Sequence, residues 1–213
     1  MAKMWYSLVR FLFSPLIRLI WVRKVEGLEN IPKKGAVIIA SNHQSYFDFI
    51  CFISVSPKKI YYLAAEKFYK SPLWRPLMKM TGQIKVERQA KDKMEAVNKA
   101  DLILNKGKML GIFPEGTRSA DGEMHKPFSG VARFALKNRA PVVPVGIKGT
   151  YEILPRQKRL PKFKKITEIR IGRPMYFEEY YGKENDKVIL EKITDKIMSE
   201  IAVLAGKEIM YRK

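Results

Sequence analysis

Four short apolar runs, at 36–40, 60–64, 109–113 and 141–147, constrain this chain more than any other feature. Each reads as a buried strand. Helical patterns separate them: an apolar one at 49–53, an amphipathic one at 72–80, one from Asp92, a candidate N-cap, to Asn105, with Gly107 as its stop, and one at 131–137. Strands alternating with helices at this spacing predict an α/β domain. Weaker strand signals lie at 25–30, at 84–86 and at 166–171, where alternation suggests an edge strand. A terminal amphipathic helix is expected over 188–205. No internal repeat, low-complexity tract or linker divides 25–213, so it is expected to be one domain.

A chain of 213 residues with 46% hydrophobic content can bury a full core. Its one cysteine, Cys51, excludes an internal disulfide and a cysteine-based metal cage. With two histidines, His43 and His125, and no HExxH spacing, no metal site is expected. The net charge of +20 calls for an anionic partner, without choosing among nucleic acid, membrane and acidic ligand. No helix-turn-helix or base-stacking pattern accompanies it, so nucleic acid is not the expected partner.

Residues 1–24 form a separate unit. Lys3, Ser7, Arg10, Ser14 and Arg18 share one helical face, and most of the rest is apolar, including Trp5, Phe11, Phe13 and Trp21. Pro15 is expected to kink or split the helix. A membrane span, a helix packed on the domain and an interfacial anchor all remain open. The cost of Arg10 and Arg18 at a bilayer centre (roughly 2.5–3.5 kcal/mol each) and the width of the apolar face favour the anchor.

Chemistry-bearing residues sit where apolar runs end. After 36–40 comes Ser41-Asn42-His43-Gln44-Ser45-Tyr46-Phe47-Asp48. A neutral imidazole can deprotonate a hydroxyl near pH 7, and a carboxylate on its other nitrogen fixes the tautomer. The stretch also fits a capping box, with Ser45 as cap and Asp48 reaching back. After 109–113 comes Pro114-Glu115-Gly116-Thr117-Arg118-Ser119, which reads as an anion-binding turn or as a turn with a surface Glu–Arg pair. No GxSxG elbow is present.

In order, Asn42-His43 with Asp48, Gly82 to Arg88, Phe113 to Arg118, and Val143-Pro144-Val145 resemble the four motif blocks of the glycerolipid acyltransferases. The likeness is greatest to the 1-acylglycerol-3-phosphate acyltransferases and covers roughly residues 25–175. The resemblance implies a central mixed sheet flanked by helices. It implies His43 as general base with Asp48 orienting it, Arg88 and Arg118 on a phosphate, and Glu115, Gly116 and Thr117 shaping the acceptor site. The implied reaction carries an acyl group from an acyl-CoA or acyl carrier protein thioester to lysophosphatidate, with no tightly bound cofactor and no acyl-enzyme. Ser41 and Ser45 are then not nucleophiles. The anchor places the enzyme peripherally on anionic lipid, at the cytoplasmic face of the cell membrane, and the basic 156–173 stretch can dock headgroups or an acidic carrier. Many relatives carry a lysine shortly before the glycine matched by Gly130; this chain has none at that spacing, and Lys126 is the nearest substitute. His125 has no motif support and is expected at the surface.

Overall fold

The computed structural model describes residues 2–72, 74–86 and 94–209. Seven strands form one sheet: β1 (Val22–Glu26), β2 (Val37–Ser41), β3 (Ile60–Ala65), β4 (Ile84–Val86), β5 (Met109–Ile112), β6 (Val142–Lys148) and β7 (Thr167–Ile171). Their spatial order is β1-β7-β6-β2-β5-β3-β4. Every pairing is parallel except β6 with β7. The fold is the expected mixed α/β sheet, with one difference. β7 is not an edge strand: β1 covers it in parallel register, Val25 opposite Ile169.

The helices are α1 (Ala2–Ile20), α2 (Phe47–Val55), α3 (Lys67–Lys70), α4 (Trp74–Thr81), α5 (Met94–Asn105), α6 (Gly130–Lys137), α7 (Thr150–Ile153) and α8 (Lys187–Ala205). Alternation along β2 feeds two cores. Ile38 and Ala40 join Leu110, Ala100, Val131 and Ile197 under α5, α6 and α8. Val37 and Ile39 join Phe52, Val143, Val145 and Ile153 under α2 and α7. Asp186 caps α8 by accepting from the Val188 and Ile189 amides, and Gly206 ends it in the left-handed region. The expected cap Asp92 lies outside the described residues.

α1 is one helix, continuous through Pro15 rather than split. Proline withholds the bond to the carbonyl four residues back, but Phe11 and Pro15 both lie on the exposed side, where that loss is cheapest. The helix has two faces. Tyr6 is buried and accepts the Ile60 amide on its hydroxyl at 3.5 Å, and Ile17 and Trp21 pack on the second core. Phe11, Leu12, Leu16 and Leu19 are exposed. No helix among the described residues is long and apolar enough to cross a membrane.

Strand direction decides where the loops meet. β2, β3, β5 and β6 run parallel, so the segments after them gather at one carboxyl edge, where open α/β sheets build their sites. β7 opposes β6, and β1 follows β7. The residues just before those two strands, Trp21 and 155–166, therefore arrive at the same edge.

Gly111 in β5 keeps that edge in order. A β-carbon there would collide with the Tyr62 ring of β3 and with Ile60. The Gly111→Ala variant is expected to lower the unfolding free energy by about 1–3 kcal/mol, as overpacked core sites do, seen as a lower denaturant midpoint with unchanged slope.

Candidate active site

The chain leaves β2 through Asn42, which is fully buried. Its side-chain amide donates to the Ile147 carbonyl and accepts from the Ile147 amide, both at 2.8 Å. Asn42 thus extends the β2–β6 ladder with a side chain and fixes the backbone just before His43.

His43 Nδ1 lies 2.8 Å from Asp48 Oδ2. A carboxylate only accepts, so Nδ1 carries the proton and Nε2 is the basic nitrogen of the neutral ring. Asp48 is 0% exposed. Its Oδ2 also accepts the Gln44 amide at 2.7 Å and the Ser45 amide at 2.8 Å, and its Oδ1 accepts the Thr150 hydroxyl. One carboxylate oxygen thus both meets the His43 ring and reaches back to two amides of its own turn. Ser45 takes part differently from a capping box: its hydroxyl accepts the Phe47 amide at 3.2 Å and donates to the Leu154 carbonyl at 2.8 Å. Both lone-pair and proton duties of that hydroxyl are structural, and Ser41 and Ser45 are buried.

The imidazole face stacks on Phe113 at 3.9 Å between centroids and 14° between planes. Phe113 in turn stacks on Tyr62 at 5.4 Å. The ring is thereby held by a hydrogen bond at one edge and an aromatic column on one face.

The loop after β5 is not a turn with a surface Glu–Arg pair, one of the two readings its sequence left open. Glu115 is 3% exposed and turns inward. It accepts the His43 amide on Oε1 at 2.8 Å and the His125 amide on Oε2 at 2.9 Å. It braces the histidine backbone and does not line the cavity. Burial pushes its carboxyl up to about 7, and the His125 and His43 amides pull against that rise. Gly116 adopts φ +66°, and its amide closes a turn onto the Phe113 carbonyl at 2.9 Å. That amide is spent inside the turn rather than turned outward to an anion. The Ser119 amide donates to the His43 carbonyl at 2.8 Å, and Gln44 Nε2 to the Gly122 carbonyl at 2.6 Å. The two loops are sewn together.

His43, Thr117 and Arg118 open on a cavity of about 620 Å³. Its remaining wall is mostly apolar: Val9, Phe13 and Ile17 of α1, Phe49 and Ile53 of α2, Leu63 of β3, Trp74 and Leu77 of α4. Arg118 lies over the Tyr46 ring at 3.7 Å. Lys67 lies 5.6 Å from the same ring, and Arg156 donates from Nη1 to the Arg118 carbonyl at 3.1 Å. Lys67 and Arg156 also line the cavity. Partial burial lowers the Arg118 pKa, and Arg156 adds to the fall. Among the described residues, none of these three cations is ion-paired with a carboxylate. The arrangement can deprotonate a hydroxyl, hold an anion beside it and shelter a long apolar chain.

Of the residues named from sequence, the structure brings together His43, Asp48, Thr117 and Arg118, with Gly116 at the rim and Glu115 behind. Arg88 lies outside the described residues, and nothing is described of the Trp5 side chain. Arg10 and Phe13 line the cavity rather than facing only outward, Phe11 and Arg18 are exposed, and Trp21 packs against Phe47 at 4.9 Å. His125 is at the surface near Asp121, and Lys126 is exposed. Cys51 is buried against Thr167, and burial raises its thiol to about 12. Sequence reasoning missed Tyr46, Lys67, Thr150 and Arg156. Tyr46 lies inside the Ser41–Asp48 stretch and Arg156 opens the basic 156–173 stretch, but neither was singled out for the site; Lys67 and Thr150 carry no local signal. Among the described residues, no three His, Cys, Asp or Glu side chains gather as metal ligands.

The family model described as Acyltransferase matches residues 22–148, more than half of the chain. The chain belongs to the acyltransferase family. It is 30% identical over 156 residues to a chloroplastic 1-acyl-sn-glycerol-3-phosphate acyltransferase of Arabidopsis thaliana, covering 72% of this chain and 42% of that protein. It is 34% identical over 127 residues to a 1-acyl-sn-glycerol-3-phosphate acyltransferase of Borreliella burgdorferi, covering 59% of this chain and 51% of that one. The chain thus spans about half the length of these two curated relatives. A Bacillus subtilis protein of the same name is 26% identical over 82% of this chain and 85% of its own. The crystal structure of the 1-acyl-sn-glycerophosphate acyltransferase PlsC from Thermotoga maritima shares this acyltransferase fold. Its TM-score is 0.76 at 23% identity, over 98% of this chain and 83% of that one.

The raised Glu115 carboxyl makes a signed prediction. Its folded pKa of about 7 exceeds the ordinary 4.5, so the folded state holds its proton longer. That contribution to stability is complete below pH 4.5 and is lost as pH rises through 7. Between those limits the stability of Glu115→Gln relative to wild type is expected to rise with pH, measured by denaturant unfolding across the range.

Proposed function

We propose that this protein transfers an acyl group from an acyl thioester to the sn-2 hydroxyl of 1-acylglycerol-3-phosphate, giving phosphatidate. The observation that carries the reading is the His43–Asp48 pair opening on an apolar cavity beside three cations that, among the described residues, are ion-paired with no carboxylate. Names of the relatives above support the same acceptor.

In this reading the acceptor hydroxyl gives its proton to His43 Nε2 as its oxygen attacks the thioester carbonyl. Asp48 steadies the imidazolium that forms. The tetrahedral intermediate collapses, the C–S bond breaks, and the leaving thiolate takes the proton back from Nε2. The acceptor supplies the nucleophile, so no acyl-enzyme arises. Arg118, with Lys67 and Arg156 beside it, holds the acceptor phosphate and turns binding energy into orientation; Arg88 is proposed to join them. Thr117 borders the acceptor, and the cavity takes an acyl chain. The thioester donor is an acyl-CoA or an acyl carrier protein.

The protein is proposed to act as a peripheral enzyme at the cytoplasmic face of the cell membrane, in phospholipid synthesis. The outward face of α1, with Phe11 78% and Leu19 66% exposed beside Arg18, suits a helix lying in the interface of an anionic leaflet. Residues 1–24 then serve twice, as anchor and as cavity wall.

Purified protein assayed with both donor types is expected to show its highest kcat/KM on lysophosphatidate. Equal or better turnover of glycerol-3-phosphate or of lysophosphatidylcholine contradicts the acceptor assignment. Arg118→Gln is expected to raise KM for lysophosphatidate about 10- to 100-fold, the worth of a charge-assisted hydrogen bond, with a smaller change in kcat.

A further inference from the structure

At the carboxyl edge, between α7 and β7, lies a segment that the proposed chemistry uses only at its first cation. Residues 155–166 contain Arg156, Lys158, Arg159, Lys162, Lys164 and Lys165, and no acid. Within this basic run Leu160 is 82% exposed and Phe163 76% exposed. Large apolar side chains standing free in water beside clustered cations are unfavourable unless something covers them.

The segment is ordered. The Lys162 amide donates to the Ile153 carbonyl at 2.8 Å, and the Lys158 amide to the Pro155 carbonyl at 3.0 Å. Trp21 Nε1 donates to the Lys162 carbonyl at 2.9 Å, and the Phe163 ring stacks on Trp21 at 5.7 Å. The strap is therefore fastened to the end of α1, whose outward face carries the exposed Phe11, Leu12, Leu16 and Leu19. It also arrives at the edge that holds His43, and at its start Arg156 touches the loop carrying Arg118.

We infer that the 155–166 strap is a second lipid-contacting element, which sets Leu160 and Phe163 into the acyl boundary of an anionic leaflet while its cations meet the headgroup phosphates. The occupant is lipid rather than an acidic protein for two reasons. Charge alone would not require Leu160 and Phe163 to be exposed. The strap is also fastened, at Trp21, to the helix whose outward face carries the exposed Phe11, Leu12, Leu16 and Leu19. Each cation near such a surface is worth about fivefold in binding. Two elements gripping the leaflet on either side of Trp21 would fix the tilt of the carboxyl edge, and with it the mouth of the cavity. This inference rests on the membrane association proposed above.

The test uses the full chain with Leu160→Cys labelled by an environment-sensitive fluorophore; Cys51 is fully buried and stays unlabelled. Vesicles of phosphatidylcholine with phosphatidylglycerol are added, and binding is scored by sedimentation. The label is expected to shift to the blue and to be quenched by lipids brominated on the acyl chain. In parallel, Leu160→Ser combined with Phe163→Ser is expected to weaken vesicle binding at least about tenfold while leaving the melting temperature and far-UV spectrum in place. Protein that sediments while its label stays in water overturns the strap and leaves α1 as anchor. Protein that fails to sediment overturns the membrane reading as well. A label that responds to added acyl carrier protein and not to vesicles overturns the lipid assignment.

Discussion

The buried carboxylate of Asp48 is the interaction on which the rest depends. A lone carboxylate taken from water loses several kcal/mol of solvation even after the protein relaxes. Four donors meet it here: the His43 ring, two amides of its own turn and the Thr150 hydroxyl. Hydrogen bonds to a charged group are worth roughly 1.5–3 kcal/mol each, so four of them outweigh that loss. Removing any one loosens the others, because they share two oxygens. The turn after β2, the start of α2 and the start of α7 are thus joined at a single group, and the imidazole takes its direction from that junction.

Around this junction the site separates its physical tasks. Asn42 and Glu115 hold the backbone entering His43, the Ser119 amide holds its carbonyl, and Phe113, itself stacked on Tyr62, holds its face. Asn42 and Glu115 do this from behind the cavity wall, whereas Phe113 and Tyr62 also line it. Arg118 and Lys67 lie on Tyr46 and Arg156 on the Arg118 carbonyl, and among the described residues none of the three is ion-paired with a carboxylate. The apolar cavity begins beside them. An amphiphile with a phosphate at one end and a hydrocarbon chain at the other matches this division, and the exposed apolar residues of α1 and of the 155–166 strap match the surface such a molecule comes from.

The strands and their alternation with helices were legible because buried parallel strands leave continuous apolar runs, as at 36–40 and 109–113. The pair His43–Asp48 was legible because both members lie in one turn. What escaped was non-local. Thr150 reaches Asp48 across 102 positions, and Arg156 reaches Arg118 across 38. Neither residue type nor spacing announces such a contact. The alternation of β7 looked like an edge strand because two-residue periodicity reports half-burial, not how many neighbours a strand has; β1 supplied the second neighbour. For Glu115 and Arg118 the sequence left an anion-binding turn and a surface pair both open; the fold turns Glu115 inward to two backbone amides and lays Arg118 over an aromatic ring.

The central claim is that His43 and Asp48 act as one unit on a substrate hydroxyl. A double-mutant cycle measures this directly, using the rate of acyl transfer to lysophosphatidate by wild type, His43→Ala, Asp48→Asn and the double variant. The account predicts that His43→Ala lowers kcat by about 10²–10⁴, that Asp48→Asn loses most of the same factor, and that the double variant is no slower than His43→Ala. Losses that multiply in the double variant, or an Asp48→Asn protein that keeps its full rate, would contradict it.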